Sequence, residues 1–282
     1  MDDPKAEAGH GGRTEKALTL MAVHAHPDDE AIGTGGVLAR YSAEGAQTVL
    51  VTCTNGEQGD ALGGVKPGQP GHHPEEVAAV RLAELRVSAA VLGVSHLELL
   101  DYRDSGMDGW SANKDPGVFC NVPLAEAGGR LAELMQKYRP QVVVTYDENG
   151  NYGHPDHIQA HRATVAAAES TGIPAKLYYS AVPRSGFLQL RQLMEASGVS
   201  LDDFDVPDDF GVPDELITTV VDVSAYVNQK REALGAHTSQ EQNFFFDRVP
   251  DEITTVLLSR EYFTLRSAPK GLAREDDLFA GL

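Results

Sequence analysis

Two short stretches hold the residue types that divalent metals and amide chemistry need: His26-Pro27-Asp28-Asp29-Glu30 and His154-Pro155-Asp156-His157. Each closes an apolar run of strand length, Leu18 to Val23 before the first and Gln141 to Tyr146 before the second. Ionisable groups crowded at the end of a buried run are costly unless something charged sits among them, and a divalent cation is the simplest such thing. A catalytic zinc site takes three ligands from His, Asp or Glu and keeps one position for water. His26 and Asp29, three apart on a turn after a strand, can face one point. His157, on the first turn of the next helix, can complete a His-Asp-His set. Asp28 is then left beside the metal but unbound, where a carboxylate can take a proton from an activated water. His154 would lie across the site as an imidazolium that donates to an oxyanion. Asp156 is expected to orient His154 or His157. Tyr152 either packs in its loop or acts as a mobile hydrogen-bond donor.

Taken singly, each stretch has a plainer reading. The first is also an Asx-turn or helix N-cap, and the second a capped helix start with Pro155 at N1. Their pairing at two strand ends on one sheet edge is what singles out a metal site. Other candidates are weaker. His161, four residues after His157, has the spacing of a two-histidine zinc face and is a rival ligand, set against a packed role. His24 reads as a hydrogen-bonded buried histidine, and His10, His72 and His73 as loop residues. The run Gly33-Thr34-Gly35-Gly36 resembles a phosphate cradle but lacks the GxGxxG fingerprint, so it reads as close helix–strand packing. Cys53 reads as structural burial, with no histidine placed to activate it.

The elements that must position these residues alternate along the chain. Apolar strands at Leu18–Val23, Thr48–Cys53, His96–Leu100, Gln141–Tyr146 and Lys176–Ser180 are separated by helical patterns, among them 75–92, 124–138 and a helix from 155 to about Ser170. This alternation predicts an α/β fold: a Rossmann-like, mainly parallel sheet flanked by helices. Right-handed crossovers then gather His26, Asn55, Asp101 and Asp147 on one edge. A smaller C-terminal α/β extension is expected from a helix at 187–196, an acidic loop at 201–214, a strand at 217–223, a helix at 226–237 and a short strand at 262–265. Residues 1–16 are read as a loose tail. Residues 17–282 are read as one domain, with its core at 17–180 and a C-terminal part at 181–282. The Gly/Pro-rich stretch 63–74 is a long loop.

Composition bounds the answer. With 23 basic against 42 acidic residues the net charge is −19, which disfavours nucleic acid and anionic membrane as partners. No apolar run approaches the ~18 residues of a membrane span. The acidic N-terminus does not read as a secretion signal, and two cysteines make no disulfide framework. A cytoplasmic protein acting on a small molecule is expected, and a homo-oligomer is compatible with the composition.

The two stretches together resemble the signatures of the LmbE/PIG-L family of zinc-dependent N-deacetylases, A-H-P-D-D-E after the first strand and H-P-D-H after a later one. Here they stand as Ala25–Glu30 and His154–His157. Within the family the chain is most similar to the mycothiol-pathway enzymes, the N-acetylglucosaminyl-inositol deacetylase and the mycothiol S-conjugate amidase. The similarity lies in 145–150, 152–154, Arg103–Met107 and Ala236-His237-Thr238; Ala31 stands where that branch has Ser. The resemblance implies an LmbE-like fold, with Zn2+ held by His26, Asp29 and His157; Fe2+ or Mn2+ is accepted by such a ligand set. It implies Asp28 as general base and His154 as the oxyanion-side imidazole or acid, tuned by Asp156. Tyr152 would close on the intermediate, and Arg81 and Asp104 would hold sugar hydroxyls. The implied reaction is removal of an N-acetyl group from an N-acetylglucosaminyl conjugate. An amidase for a larger acyl or thiol conjugate is the alternative, and an idle sugar- or metal-binding module the remote one.

Overall fold

A computed structural model of the chain describes residues 18–196, 210–240, 250–267 and 273–282. In chain order the strands are β1 (Thr19–His24), β2 (Gln47–Thr54), β3 (His96–Tyr102), β4 (Val142–Thr145), β5 (Lys176–Ala181), β6 (Thr219–Asp222) and β7 (Arg260–Leu265). The helices are α1 (Asp29–Gly33), α2 (Gly35–Ala43), α3 (Pro74–Val91), α4 (Leu124–Tyr138), α5 (Gly150–Gly153), α6 (Pro155–Thr171), α7 (Arg184–Ala196), α8 (Val227–Ala236) and α9 (Asp251–Leu258).

β1 is buried along its whole length because both faces of the sheet are covered. Leu20 and Ala22 pack with Val37, Leu38, Leu85 and Leu234 of α2, α3 and α8, while Met21 and Val23 pack with Leu131, Met135, Ala160 and Ala163 of α4 and α6. A strand covered on both faces reads as a continuous apolar run, which is why β1, β2 and β4 are legible without alternation. Each fully buried Leu contributes roughly 1.5–3 kcal/mol, so this strand is a rigid base for the turn that follows it.

The strand order is β3-β2-β1-β4-β5-β7-β6, with β3 through β5 parallel and β7 antiparallel to both its neighbours. The chain leaves β1 to one side for β2 and β3 and returns to the other side for β4 and β5. Connections therefore diverge above the carboxyl ends of β1 and β4, and that divergence opens a crevice for ligands.

The α/β expectation and the mainly parallel sheet hold. The C-terminal strands join the same sheet, and the differences are local. β3 runs on to Tyr102, β6 is shorter than 217–223, and α7 begins at Arg184. α9 was not expected, because its sequence DEITTVLL is β-branched; Pro250 before it and Asp251 and Glu252 in its first turn favour a helix start. The tail at 1–16, His10 and residues 201–209 of the acidic stretch lie outside the described residues. Among the described residues no helix is long and apolar enough to cross a membrane.

The glycine run after the first motif serves packing. A Cβ on Gly36 would stand 2.5 Å from Val223 Cγ2. The N–H groups of Gly36 and Val37 donate to Glu261 of β7 at 2.7 and 2.8 Å, and Lys230 pairs with the same carboxylate. The anion position at the start of α2 is thus filled from within the protein.

Candidate active site

β1 ends at His24, and the chain turns sharply to enter α1. The turn is fixed from the neighbouring strands: Thr54 donates its N–H to the Ala25 carbonyl at 2.8 Å, and Ala25 N–H donates to the Tyr146 hydroxyl at 2.7 Å. Donor atoms of three residues converge above it. His26 Nδ1 lies 3.3 Å from Asp29 Oδ2 and 3.3 Å from His157 Nε2, and His157 Nε2 lies 3.5 Å from Asp29 Oδ1. A tetrahedral ion with bonds of 2.0–2.2 Å spaces its donors about 3.3 to 3.5 Å apart, and the distances among these three residues, which involve both oxygens of Asp29, fall in that range. A second grouping, of ring nitrogens from His26, His154 and His157, falls within 4.8 Å. A third, of His26, Asp104 and Asp156, meets the same limit, so His26 is common to every arrangement.

Other residues hold the His26–Asp29–His157 triangle in place. Asp29 Oδ2 accepts the N–H of His26 at 2.8 Å and the hydroxyl of Tyr146 at 2.7 Å. The Tyr146 ring stacks on His157, with centroids 4.0 Å apart. Gly150, at φ 62°, lets the loop pass over α6: a Cβ there would stand 2.7 Å from His157 Cβ.

The other face of His26 corrects one expectation. Asp156 does not orient His154 or His157 with its carboxylate; Oδ2 lies 3.2 Å from His26 Nε2. The Asp156 carboxylate is held in turn by the backbone N–H of Ser105 at 2.9 Å and by the Ser105 hydroxyl. A carboxylate on Nε2 keeps the proton there and leaves Nδ1 as the lone-pair donor. Burial pulls the His26 imidazole down, but Asp104, Asp156 and Asp29 more than reverse this and raise it well above the usual value. Burial likewise works against the Asp29 carboxylate, which His157 and His26 hold well below the usual range. Three carboxylates, of Asp29, Asp104 and Asp156, crowd this point and favour positive charge there. Asp156→Asn should weaken metal binding by about 10–100-fold, the usual cost of losing a ligand's outer partner. A metal titration of the chelated protein checks this.

Asp28 stands off the triangle, 3% exposed, with Oδ2 at 3.3 Å from Arg81 Nη2. Burial raises its pKa, Arg81 opposes this and Asp29 reinforces it, for a net rise. The resemblance implies that Arg81 and Asp104 hold sugar hydroxyls. In the structure both are buried, and Arg81 donates to the carbonyls of Pro27 at 2.6 Å and Gly56 at 2.7 Å. Asp104 accepts the N–H groups of Gly106 and Gln58 and lies 3.6 Å from His26 Nε2. Gly56 and Gly59 make room for this clamp, since a Cβ on either would stand 2.5 Å from Arg81 Nη1.

His154 caps α6 by accepting the N–H of Asp156 on Nδ1 at 3.1 Å, which leaves the proton on Nε2. Burial, followed by the charge interactions with His26 and His157, pulls its pKa down to about 2. The expected imidazolium is therefore a neutral ring in the metal-free protein. Tyr152, 43% exposed, follows Asn151 at φ 62°, and its ring meets His157 edge-on at 5.0 Å.

The remaining candidates lie elsewhere. His161 turns away, with Nδ1 at 2.9 Å from the Tyr146 carbonyl. His24 Nε2 bonds Thr34 at 2.8 Å, while its Nδ1 is buried with no partner among the described residues. Burial pushes the Cys53 thiol up, away from reactivity. Two contributors were missed from sequence, Tyr146 and Ser105. Both lie in the segments that carry the family resemblance, 145–150 and Arg103–Met107, and Tyr146 also stands at a strand end.

Comparison with known proteins agrees with this geometry. A model of the PIG-L family, described as GlcNAc-PI de-N-acetylase, matches residues 21–168. The 1D-myo-inositol 2-acetamido-2-deoxy-alpha-D-glucopyranoside deacetylase of Geodermatophilus obscurus is 42% identical over 93% of this chain and 97% of its own length. The protein of the same name from Acidothermus cellulolyticus is 43% identical, over 94% and 95%. Among solved structures, the N,N'-diacetylchitobiose deacetylase of Pyrococcus horikoshii shares the fold, with a TM-score of 0.55 at 21% identity over 88% of this chain and 84% of that one. With a family match that spans both the 26–30 and 154–157 stretches and relatives that align over nearly the whole sequence, the chain belongs to the PIG-L family.

Proposed function

We propose that this chain is a zinc-dependent hydrolase that removes the acetyl group from an N-acetylglucosaminyl conjugate. The conjugate with inositol, named for its relatives, is the first candidate substrate. The observation that carries this reading is the His26–Asp29–His157 triangle, with the Asp28 carboxylate beside it and outside it. Zinc held by the three ligands would polarise the amide carbonyl and acidify water.

The rest is done by the chain's own groups. Asp28 accepts the proton of the attacking water, and burial makes it a stronger base than an exposed aspartate. His154, with its proton fixed on Nε2, donates to the oxyanion as a neutral imidazole. Tyr152, on its exposed turn, closes over the same oxygen. An amine leaves only once protonated, and the proton taken up by Asp28 is the one available to it. Asp156 serves the reaction by holding His26. Asp104 and Arg81, beside His26 and Asp28, border the place proposed for the sugar.

A cleft of about 1200 Å3 lined by Asp147, Tyr152, Tyr179, Arg184, Phe210 and Arg274 among others favours a second reading: an amidase for a larger acyl group. Zinc-loaded protein assayed for released amine against N-acetylglucosaminyl-inositol, N-acetylglucosamine and acylated thiol conjugates separates the two. Turnover of the N-acetyl sugars supports the deacetylase. Turnover of the thiol conjugates alone supports the amidase, and no turnover of any would overturn both. Truncating His154 to Ala should lower kcat by about 10²–10³-fold, the scale of one lost oxyanion donor, with zinc retained on metal analysis.

A further inference from the structure

The residues after α8 are buried where the proposed reaction makes no use of them. His237 is fully buried, with Nε2 at 2.7 Å from Glu30 Oε1. Glu30, also fully buried, accepts the Ser88 hydroxyl on the same oxygen at 2.5 Å, and on Oε2 accepts the backbone N–H of Asp28 at 3.0 Å. Both carboxylate oxygens are thus engaged, and one of them holds the peptide that carries Asp28.

That peptide needs holding. Asp28 sits at φ 103° and ψ −30°, a conformation that a non-glycine residue keeps only where its surroundings impose it. Glu30 fixes its N–H, while Arg81 fixes the carbonyl before it and lies against its carboxylate. The same short segment also fastens the far end of the clamp. The Ser239 N–H and hydroxyl and the Thr238 hydroxyl bind Glu84 at 2.8, 2.7 and 3.0 Å, one turn along α3 from Arg81. Gln240 bonds both backbone groups of Asp60, at 3.2 and 3.1 Å.

We infer that His237 is a positioning residue: through Glu30 it fixes the backbone of Asp28 and so the aim of that carboxylate. A part of the chain outside the matched segment 21–168 thereby sets the rate of the reaction. The inference rests on the proposed role of Asp28 as base. A buried pair that served the fold alone would change stability and leave the rate per folded, metal-loaded molecule untouched.

The test uses the full-length zinc-loaded protein and measures kcat, KM, bound zinc and melting temperature with the acetylated sugar conjugate. His237→Phe keeps a ring and removes the donor. It should lower kcat by about 10–100-fold with KM and zinc unchanged, the scale of a slight misplacement of a reacting group. His237→Gln, which restores an N–H toward Glu30, should recover much of that loss. Ser88→Ala should give a smaller fall in kcat alone. A zinc-loaded His237→Phe with wild-type kcat overturns the inference, as does a fall in kcat that Gln does not relieve. If the Phe variant does not fold, a wild-type kcat in Ser88→Ala overturns it, and a reduced kcat there supports it. Asp28→Asn measured alongside separates the two claims. An active Asp28→Asn removes the base and the inference with it, whereas an inactive one with a normal His237→Phe removes the inference alone.

Discussion

Asp28→Asn should keep its zinc and lose about 10²–10⁴-fold in turnover, the usual range for removal of a general base. The substitution is close to a pure test of proton transfer. Asparagine is among the residues that best tolerate the positive φ of 103° found here, so the turn into α1 should survive. Its amide oxygen can still accept from Arg81 Nη2, which lies 3.3 Å from the carboxylate it replaces. The amide cannot take a proton from water or return one to the amine, so both halves of the proposed cycle fail together. Single-turnover assays and metal analysis on the same preparation read the two quantities separately. Loss of zinc in the variant would make Asp28 a ligand and exchange the roles of the two aspartates. Retained turnover would place the base elsewhere.

The parts of this site legible in sequence were those whose causes are local. β1 and β4 are covered on both faces and so read as apolar runs, and the histidines and aspartates that follow them stand out against those runs. What could not be read was the partner of each group across the sheet. Asp156 neighbours His154 and His157 in the chain, and proximity assigned it to them. The first turn of α6 instead points its carboxylate at His26, delivered from another strand. His154 was expected to be charged for the same reason, before its depth of burial and its cap on α6 were known. Glu30 closes the first motif and drew no separate reading, since its partners Ser88 and His237 lie 58 and 207 residues away. At the other end of the chain, the insertion of β7 between β5 and β6 is a long-range pairing that no local pattern announces.

His157→Ala should lose the metal, and activity with it. The variant removes one of three donors, and the two that remain, His26 Nδ1 and Asp29 Oδ2, form a single 3.3 Å edge. Affinity should fall by more than the roughly 10–100-fold that an outer partner costs. Retention of zinc at wild-type affinity would overturn the ligand set and turn attention to His154, whose ring nitrogen lies within reach of His26. His161→Ala is the control. Its Nδ1 faces the Tyr146 carbonyl and its ring lies 5.0 Å from Tyr179, so zinc should bind that variant as it binds the wild type. The pH dependence of binding gives an independent check with a definite sign. In the metal-free protein the His26 pKa is raised and that of Asp29 is lowered, so the proton that competes with zinc sits on His26. Affinity should therefore climb with pH, about tenfold per unit for one displaced proton, until pH passes the raised His26 value, and then level off. Titrations of chelated protein across that range should find no comparable rise near the ordinary aspartate value. A rise confined to the acidic range would mean that the carboxylates, and not His26, give up the proton when the metal enters.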